Sequence, residues 1–256
     1  MANFCLIIQY DGTRYNGWQR QGNTPDTIQE KLENILEQLY GEPVELHGSG
    51  RTDAGVHALR QVANYRIPRM ISRYSCMEIQ DYFNSCLPQD IRILAVEKAP
   101  ERFHARLNAE SKIYEYRIDI GRVSRVFERR YVYRIDEPLN LRRMREGADL
   151  LTGTHDFKSF CSNRHMKKST VRTVYEITME EQDGILYIRY RGDGFLYNMV
   201  RIMTGTLIEI GLGERMPSQI TAAFEGLDRS LAGFTAPARG LFLTDVFYVI
   251  GNCDFL

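Results

Sequence analysis

Residues 47–58 hold an arginine and an aspartate in a glycine-rich stretch. The segment reads HGSGRTDAGVHA, so Arg51 and Asp53 lie two positions apart among three glycines. Glycine permits positive φ angles and lets a ligand approach the backbone closely. The spacing fails the patterns of a dinucleotide-binding loop, a P-loop and a nucleophile elbow. The segment indicates either a constrained loop that presents a carboxylate and a guanidinium for chemistry, or an ion pair that stabilises a tight turn.

Arg201 lies in an apolar segment, residues 195–210, that predicts a buried helix. A buried guanidinium is costly unless an acceptor pairs with it. Asp53 is a candidate acceptor, although Asp193 and Glu209 are nearer in sequence. A carboxylate held between two arginines has a lowered pKa and stays ionised, which suits a nucleophile or a charged base rather than a general acid. A purely structural ion pair is the alternative.

The segment SKIYEYR is predicted to be a strand that presents Lys112, Tyr114 and Tyr116 on one face. Such a face can form an aromatic floor beneath a nucleobase, with a phenol that exchanges protons. It can equally pack a sheet against a helix, since the chain has 15 tyrosines. The residues alone leave both interpretations open.

Two further stretches combine cations with polar or aromatic residues, as nucleic-acid surfaces do. Their candidate contact residues are Arg14, Trp18, Arg20, Lys167 and Lys168. The first three lie in a glycine-punctuated polar segment and include the only tryptophan, and the last two lie in a basic segment. A run of charge is more often a solvated face, so these stretches do not decide the function.

The elements that would position these residues follow from the hydrophobic periodicity. Strands are predicted over residues 4–10, 44–47, 61–67, 91–96, 112–120, 131–135, 171–179, 185–191 and 241–250. Helices are predicted over residues 28–40, 139–151, 195–210 and 217–225. Strand–helix–strand–strand order in both halves predicts two α+β lobes with mainly antiparallel sheets and a seam near residues 99–107.

Length and composition bound the class of protein. The chain has 256 residues, 43% of them hydrophobic and 26% charged, which is typical of a soluble globular protein. It lacks the run of about 18 apolar residues that a membrane span needs, and its N-terminus does not resemble a secretion signal. Five scattered cysteines indicate a reducing compartment rather than a disulfide framework, and their spacing does not match a zinc site.

The charge composition points in two directions. A formal net charge of zero, taken alone, argues against a nucleic-acid partner. Of the 33 cationic residues, however, 27 are arginines, the residue type that binds phosphates bidentately and stacks on bases. Genomic base composition also favours arginine, so charge leaves the partner open.

Six motif blocks, spread in order over nearly the whole chain, resemble the TruA family of tRNA pseudouridine synthases. They are YDGT (10–13), GRTDAGVHA (50–58), FHAR (103–106), KxYxY (112–116), GFLYNMVR (194–201) and APARGL (236–241). The string RTDAGVHA is the most specific of them. Ser49, where the family commonly has alanine, is a small departure.

The resemblance implies an isomerase that converts uridine in RNA to pseudouridine without a metal or a cofactor. Asp53 would be the essential aspartate, which attacks the ribose, attacks the base or acts as a base. Arg51 would help to displace the target nucleotide from its stack. Tyr114 would stack on the displaced base and remove its C5 proton. Arg201 would hold the aspartate carboxylate, and Leu241 would line the apolar wall of the pocket.

The resemblance also implies two ferredoxin-like lobes that share a mainly antiparallel central sheet, with the active cleft between them. We expect an N-terminal lobe over residues 1–105, which carries the aspartate loop, and a C-terminal lobe over residues 106–256. The family acts as a cytoplasmic homodimer on the tRNA anticodon stem-loop, at positions 38, 39 and 40. Two alternatives are the same chemistry on another RNA or tRNA position, and a non-catalytic RNA-binding protein.

Overall fold

The computed structural model describes residues 1–163 and 166–248. Contacts along the chain divide it into two compact units. Of the described residues, the first unit contains 1–110 together with 243–248, and the second contains 111–242.

The first unit has the chain order β-α-β-β-α-β. Its elements are β1 (Ala2–Tyr10), α1 (Ile28–Tyr40), β2 (Leu46–Gly48), β3 (His57–Ile67), α2 (Cys76–Cys86) and β4 (Ile91–Lys98). Strand β1 is antiparallel to both β3 and β4, and β2 is antiparallel to β3. The spatial order β4-β1-β3-β2 combined with this chain order is the ferredoxin-like arrangement.

Helix α1 begins and ends at the residues that the sequence predicts. The Thr27 hydroxyl accepts a hydrogen bond from the backbone N–H of Glu30, and Gly41, with φ +76°, ends the helix. Ile28 and Leu32, on the apolar stripe, are fully buried. The periodic pattern therefore reflects burial of one helix face.

Helix α2 is absent from the predicted elements. The Ser75 hydroxyl accepts from the N–H of Glu78 at 3.2 Å, and the Glu78 carboxylate accepts from the N–H of Ser75 at 2.8 Å. This reciprocal pair is a capping box, and Ile79 and Phe83 follow it as fully buried residues. The Ser-x-x-Glu spacing is the sequence signal that identifies this helix.

The second unit also combines β-strands with α-helices. They are β5 (Ala109–Asp119), β6 (Tyr133–Arg134), α3 (Leu141–Leu151), β7 (Gly153–Asp156), β8 (Val171–Gln182), β9 (Ile185–Gly192), α4 (Met199–Leu212) and α5 (Gln219–Gly226). Strands β5, β9, β8 and β7 are neighbours in that order, each antiparallel to the next. A two-residue turn joins β8 to β9 through Asp183 and Gly184, which both have positive φ, as in a type I′ hairpin turn.

The start of α4 corrects the predicted helix over residues 195–210. Asn198 adopts φ +61°, in the left-handed region, and the N–H of Met199 donates to the carbonyl of Leu196 at 3.0 Å. The apolar run before Met199 is therefore a turn and not helix. Hydrophobic periodicity cannot mark this boundary, because Phe195, Leu196 and Tyr197 are as apolar as the helix that follows, although Tyr197 is exposed.

The last described strand, β10 (Leu241–Tyr248), explains why the first unit is built from two separate parts of the chain. Tyr248 donates its hydroxyl hydrogen to the carbonyl of Ala105 at 2.7 Å, and Asp245 forms an ion pair with Arg60 at 3.1 Å. These contacts attach the end of the chain to the first unit. The expected contiguous lobes, 1–105 and 106–256, differ from the observed units for this reason.

The predicted α+β class with mainly antiparallel strands is confirmed. In residues 1–163 and 166–248, no helix is both long and apolar enough to cross a membrane. Cys253 and the last two residues of the predicted closing strand lie outside these ranges.

Candidate active site

The loop between β2 and β3 carries Asp53, which is half-buried. Its neighbour Thr52 is buried, with its hydroxyl oxygen 2.8 Å from the Tyr10 hydroxyl. The N–H of Trp18 donates to the carbonyl of Thr52 at 3.0 Å, and the N–H of Val56 donates to the carbonyl of Asp53 at 3.1 Å. Hydrogen bonds therefore hold the backbone around the carboxylate, which is what a preorganised reactive group requires.

Two glycines allow the segment 11–18 to pack directly against this loop. A Cβ atom on Gly12 would overlap the carbonyl oxygen of Val56, and one on Gly17 would lie 2.6 Å from the carbonyl oxygen of Thr52. Gly17 also has φ +91°, a region that side chains other than glycine rarely adopt. Gly12 of the first motif block and Gly17 just after it thus serve close backbone approach.

A buried side-chain pair fixes the front of the same loop. The Ser49 hydroxyl donates to Oε1 of Gln61 at 2.6 Å, and Nε2 of Gln61 donates to the carbonyl of Gly50 at 3.0 Å. Both side chains are fully buried. The serine that departs from the family's common alanine therefore makes a hydrogen bond that alanine lacks, and Gln61 is a positioning residue that the sequence analysis missed.

The arginines of the first unit's predicted site are exposed and hydrogen-bonded. Arg51 donates from Nε to Oε1 of Gln19 at 3.0 Å. Arg14 forms an ion pair with Asp90, with Nε 2.9 Å from Oδ2. Their roles as RNA contacts stay predictions.

Arg20 is likewise exposed and paired with acidic residues of α1. Its Nη1 donates to Oε2 of Glu33 at 3.3 Å, and its Nε lies 3.7 Å from Oε1 of Glu30. These bonds orient the guanidinium along the helix surface. Contact of Arg20 with RNA stays a prediction.

Trp18 does not lie on the surface, contrary to the prediction that it stacks on RNA. Its side chain is only 2% exposed. The ring centroid lies 6.1 Å from that of Tyr10, and a Cβ atom on Gly48 would lie 2.5 Å from the indole. The large apolar area of the indole is buried beneath the loop between β2 and β3, so this residue belongs to the core.

In the second unit, the predicted tyrosine strand is β5. Tyr114 and Tyr116 are buried, and Lys112 is half-buried. The ring of Phe195 meets Tyr114 edge-on, with centroids 5.3 Å apart. Tyr116 donates its hydroxyl hydrogen to the carbonyl of Pro237 at 2.7 Å, and burial raises the pKa of its phenol well above the usual value. Tyr116 is thus a structural phenol beside the candidate base-stacking Tyr114.

Arg201 lies near the start of α4 and is half-buried, not fully buried as the apolar pattern predicts. Its Nε donates to the carbonyl of Ala236 at 2.7 Å, and its Nη1 donates to Oδ1 of Asn198 at 2.8 Å. The left-handed conformation of Asn198 brings its amide to the guanidinium. These two bonds orient the guanidinium within the second unit.

The acidic residues nearest to Arg201 in sequence bind other groups. Asp193 accepts a hydrogen bond from the N–H of Thr173 at 3.0 Å, and Glu209 accepts one from Nε of Arg215 at 2.8 Å. The pairing of Arg201 with Asp53 stays a prediction.

The APARGL motif packs around Arg201 and Tyr116, since its Ala236 carbonyl accepts from Arg201 and its Pro237 carbonyl accepts from Tyr116. A Cβ atom on Gly240 would lie 2.8 Å from the Tyr116 ring, so only glycine fits there without displacement. Leu241 follows at the start of β10 and is 4% exposed. Its predicted place in an apolar wall is compatible with this burial and stays a prediction.

The basic stretch 163–168 is described only in part, since residues 164 and 165 lie outside the described ranges. Lys167 and Lys168 are exposed. Within the described part of the chain, no three His, Cys, Asp or Glu side chains are placed to hold a metal ion.

Comparison with known proteins matches both halves of the chain. A family profile described as tRNA pseudouridine synthase matches residues 6–108 and 148–249. The chain is 46% identical to tRNA pseudouridine synthase A of Bacillus sp. (strain KSM-64), covering 97% of this chain and 100% of that one. It is 40% identical to tRNA pseudouridine synthase A of Thermoanaerobacter sp. (strain X514), covering 97% and 100%.

A solved Cbf5-Nop10-Gar1 complex is a more distant likeness, with a TM-score of 0.37 and 12% identity over 94% of this chain and 48% of that chain. The assignment rests on the sequence relatives, whose similarity runs over nearly the full length of both chains. The chain therefore belongs to the tRNA pseudouridine synthase family.

Proposed function

We propose that this protein isomerises uridine to pseudouridine in tRNA, at positions 38, 39 and/or 40 of the anticodon stem-loop. The observation that carries the proposal is 46% identity over 97% of the chain to a tRNA pseudouridine synthase A. The Arg51-Thr52-Asp53 sequence is intact, and its backbone is held by hydrogen bonds in the first unit.

The reaction breaks the bond between N1 of uracil and C1′ of the ribose and forms a bond between C5 and C1′. The proton on C5 leaves, and N1 gains a proton, so the reaction needs no oxidant or second substrate. Asp53 is the group we assign to this exchange, through attack on the ribose, attack on the base or proton abstraction. A half-buried carboxylate with a fixed backbone suits each of these roles.

The target base must first leave its stack, which costs a few kcal/mol. We assign this displacement to Arg51, whose exposed guanidinium lies on the catalytic loop and is oriented by Gln19. Tyr114 is assigned to stacking on the displaced base and to removal of the C5 proton. Its edge-on contact with Phe195 supports a fixed ring orientation.

Two residues of the second unit complete the proposed machinery. Arg201 supplies positive charge that keeps a reacting carboxylate ionised, and Leu241 supplies an apolar surface to the base. Both are anchored around the APARGL motif, which supports a common role.

The proposal extends to a homodimer that acts in the cytoplasm. Five scattered cysteines, of which the four in the described ranges are free, fit a reducing compartment. Light scattering after size-exclusion chromatography tests the dimer: a mass of about 29.7 kDa, that of one chain, would contradict it.

Tritium release from a tRNA transcript labelled at C5 of uridine tests the activity. We expect release with the wild type and none with Asp53→Asn, while both proteins bind the transcript with similar affinity. Undiminished release by Asp53→Asn would overturn the role of the aspartate. Binding without release by the wild type would favour another RNA substrate or a non-catalytic RNA-binding protein, and the same assay on ribosomal RNA separates these two.

A further inference from the structure

The loop that follows β5 in the second unit exposes apolar side chains among arginines. Residues 121–130, here called the arginine–aromatic loop, contain four arginines and a single acidic residue. Phe127 is 90% exposed, Val123 77% and Val126 62%. Exposed apolar groups beside cations mark a surface that contacts another molecule.

Buried Asp119 holds the base of this loop in a defined shape. Its carboxylate accepts hydrogen bonds from the backbone N–H groups of Gly121 at 3.1 Å and Arg125 at 3.3 Å. Arg134 pairs with the same carboxylate at 3.1 Å. These contacts of Asp119 fix the conformation of the base of the loop, and in this conformation Phe127 is exposed.

Two of the four arginine side chains in this loop form hydrogen bonds with described residues of the chain, and two do not. Arg125 binds the carbonyl of Asp183, and Arg129 donates to the carbonyl of Val126 at 2.6 Å. Arg122 and Arg130 are exposed and form no hydrogen bond or ion pair with residues 1–163 and 166–248. Their guanidiniums can therefore bind an external anion without first breaking an internal ion pair.

Available guanidiniums next to an exposed aromatic ring suit RNA, whose phosphates pair with arginine and whose unpaired bases stack on aromatic rings. The chain as a whole is neutral, so attraction to RNA must come from local patches. A second copy of this chain fits less well, because self-contact would bring two clusters of arginines together. We infer that the arginine–aromatic loop binds the tRNA substrate, with Arg122 and Arg130 on phosphates and Phe127 on an unpaired base.

This inference rests on the proposed function, and it goes beyond the residues assigned to the reaction. The RNA contacts predicted from the sequence lie on two other stretches. In the first of these, Trp18 is buried, and Arg14 and Arg20 are paired with carboxylates. The arginine–aromatic loop instead has its aromatic ring exposed and two guanidiniums available.

Salt-dependent binding of a tRNA transcript tests the inference. For Arg122→Ser/Arg130→Ser, we expect weaker binding and a plot of log K against log salt that is shallower by about 1.4 to 1.8, because two phosphate contacts are lost. Phe127→Ser is expected to weaken binding about tenfold with the wild-type slope. The matched control is Arg142→Ser/Arg145→Ser, which removes the same charge from the exposed face of α3 and should change neither quantity.

The outcomes separate this inference from the proposed function. Tritium release at saturating tRNA should equal that of the wild type in all three variants, since the loop contains no residue assigned to the reaction. Wild-type slope and affinity in both loop variants would overturn the inference while leaving the proposed function standing. Unchanged RNA binding with a shifted molecular mass for Phe127→Ser would identify the loop as a contact between copies. No tRNA binding by the wild type would overturn both.

Discussion

Asp53 sits beside backbone atoms that neighbouring residues hold in place. Trp18 binds the carbonyl of Thr52, and the Tyr10 hydroxyl lies against the Thr52 side chain. Gly17 lies against the same carbonyl group. The loop that carries Asp53, the proposed reactive carboxylate, is therefore held by a second segment of chain, residues 11–18. We expect small changes in that segment to lower the rate.

Gly17→Ala tests this dependence. The new Cβ would lie 2.6 Å from the Thr52 carbonyl oxygen at a backbone φ of +91°, so the catalytic loop must shift. We expect tritium release to fall about 100-fold, as for misplacement of about 1 Å, and the free energy of unfolding in urea to fall by at least about 1 kcal/mol.

Gly41→Ala is the matched control, because Gly41 has φ +76° but no atom near its Cβ position within 4 Å. It should lose about 1 kcal/mol of stability and keep the wild-type rate. Equal rates for the two variants would contradict a positioning role for the segment 11–18.

Among the secondary-structure elements, α2 and α4 begin for different reasons, one a local sequence signal and the other a tertiary contact. The capping box of α2 is a local signal, and Ser75 and Glu78 satisfy each other's backbone without help from the rest of the unit. The start of α4 is set by the left-handed Asn198, whose amide binds Arg201. The start of α2 can be predicted from the sequence, whereas the start of α4 is specified by a side-chain contact that forms only in the folded protein.

Ser75→Ala measures the local contribution. Loss of the cap leaves the N–H of Glu78 without its acceptor, so the free energy of unfolding should fall by about 1 kcal/mol, with no change in the rate of tritium release. Ser85→Ala is the control, since its hydroxyl contacts the carbonyl of Tyr82 and the sulfur of Cys86, which both lie in the same helix. Its effect should stay within about 0.5 kcal/mol. A rate change in Ser75→Ala would show that α2 influences the site.

For the molecule as a whole, we expect stability to depend on pH through the half-buried His104. The His104 ring stacks on His47 with centroids 4.8 Å apart. Burial, then the charges of His47 and Arg66, lower the pKa of His104 below 6.5. The unfolded chain therefore binds a proton at a higher pH than the folded chain, and stability falls as pH decreases through about 6.5.

His104→Gln should remove this component. The urea midpoint of the wild type is expected to decline between about pH 7.5 and 5.5, and the decline should be shallower in the variant. A midpoint that falls equally in both proteins would show that His104 does not contribute to the acid sensitivity.

The sequence by itself determined the α+β class, nearly all of the strands, the family and the loop that carries Arg51 and Asp53. These are encoded locally, in side-chain periodicity, turn residues and motif strings. Only the tertiary structure decided that Trp18 is buried and that most of β10 belongs to the first unit, although it follows the second unit in the chain. The exposure of Phe127 was decided in the same way. Burial depends on which distant segments meet, such as Gly48 beneath the indole, and periodicity within one segment carries no information about that contact.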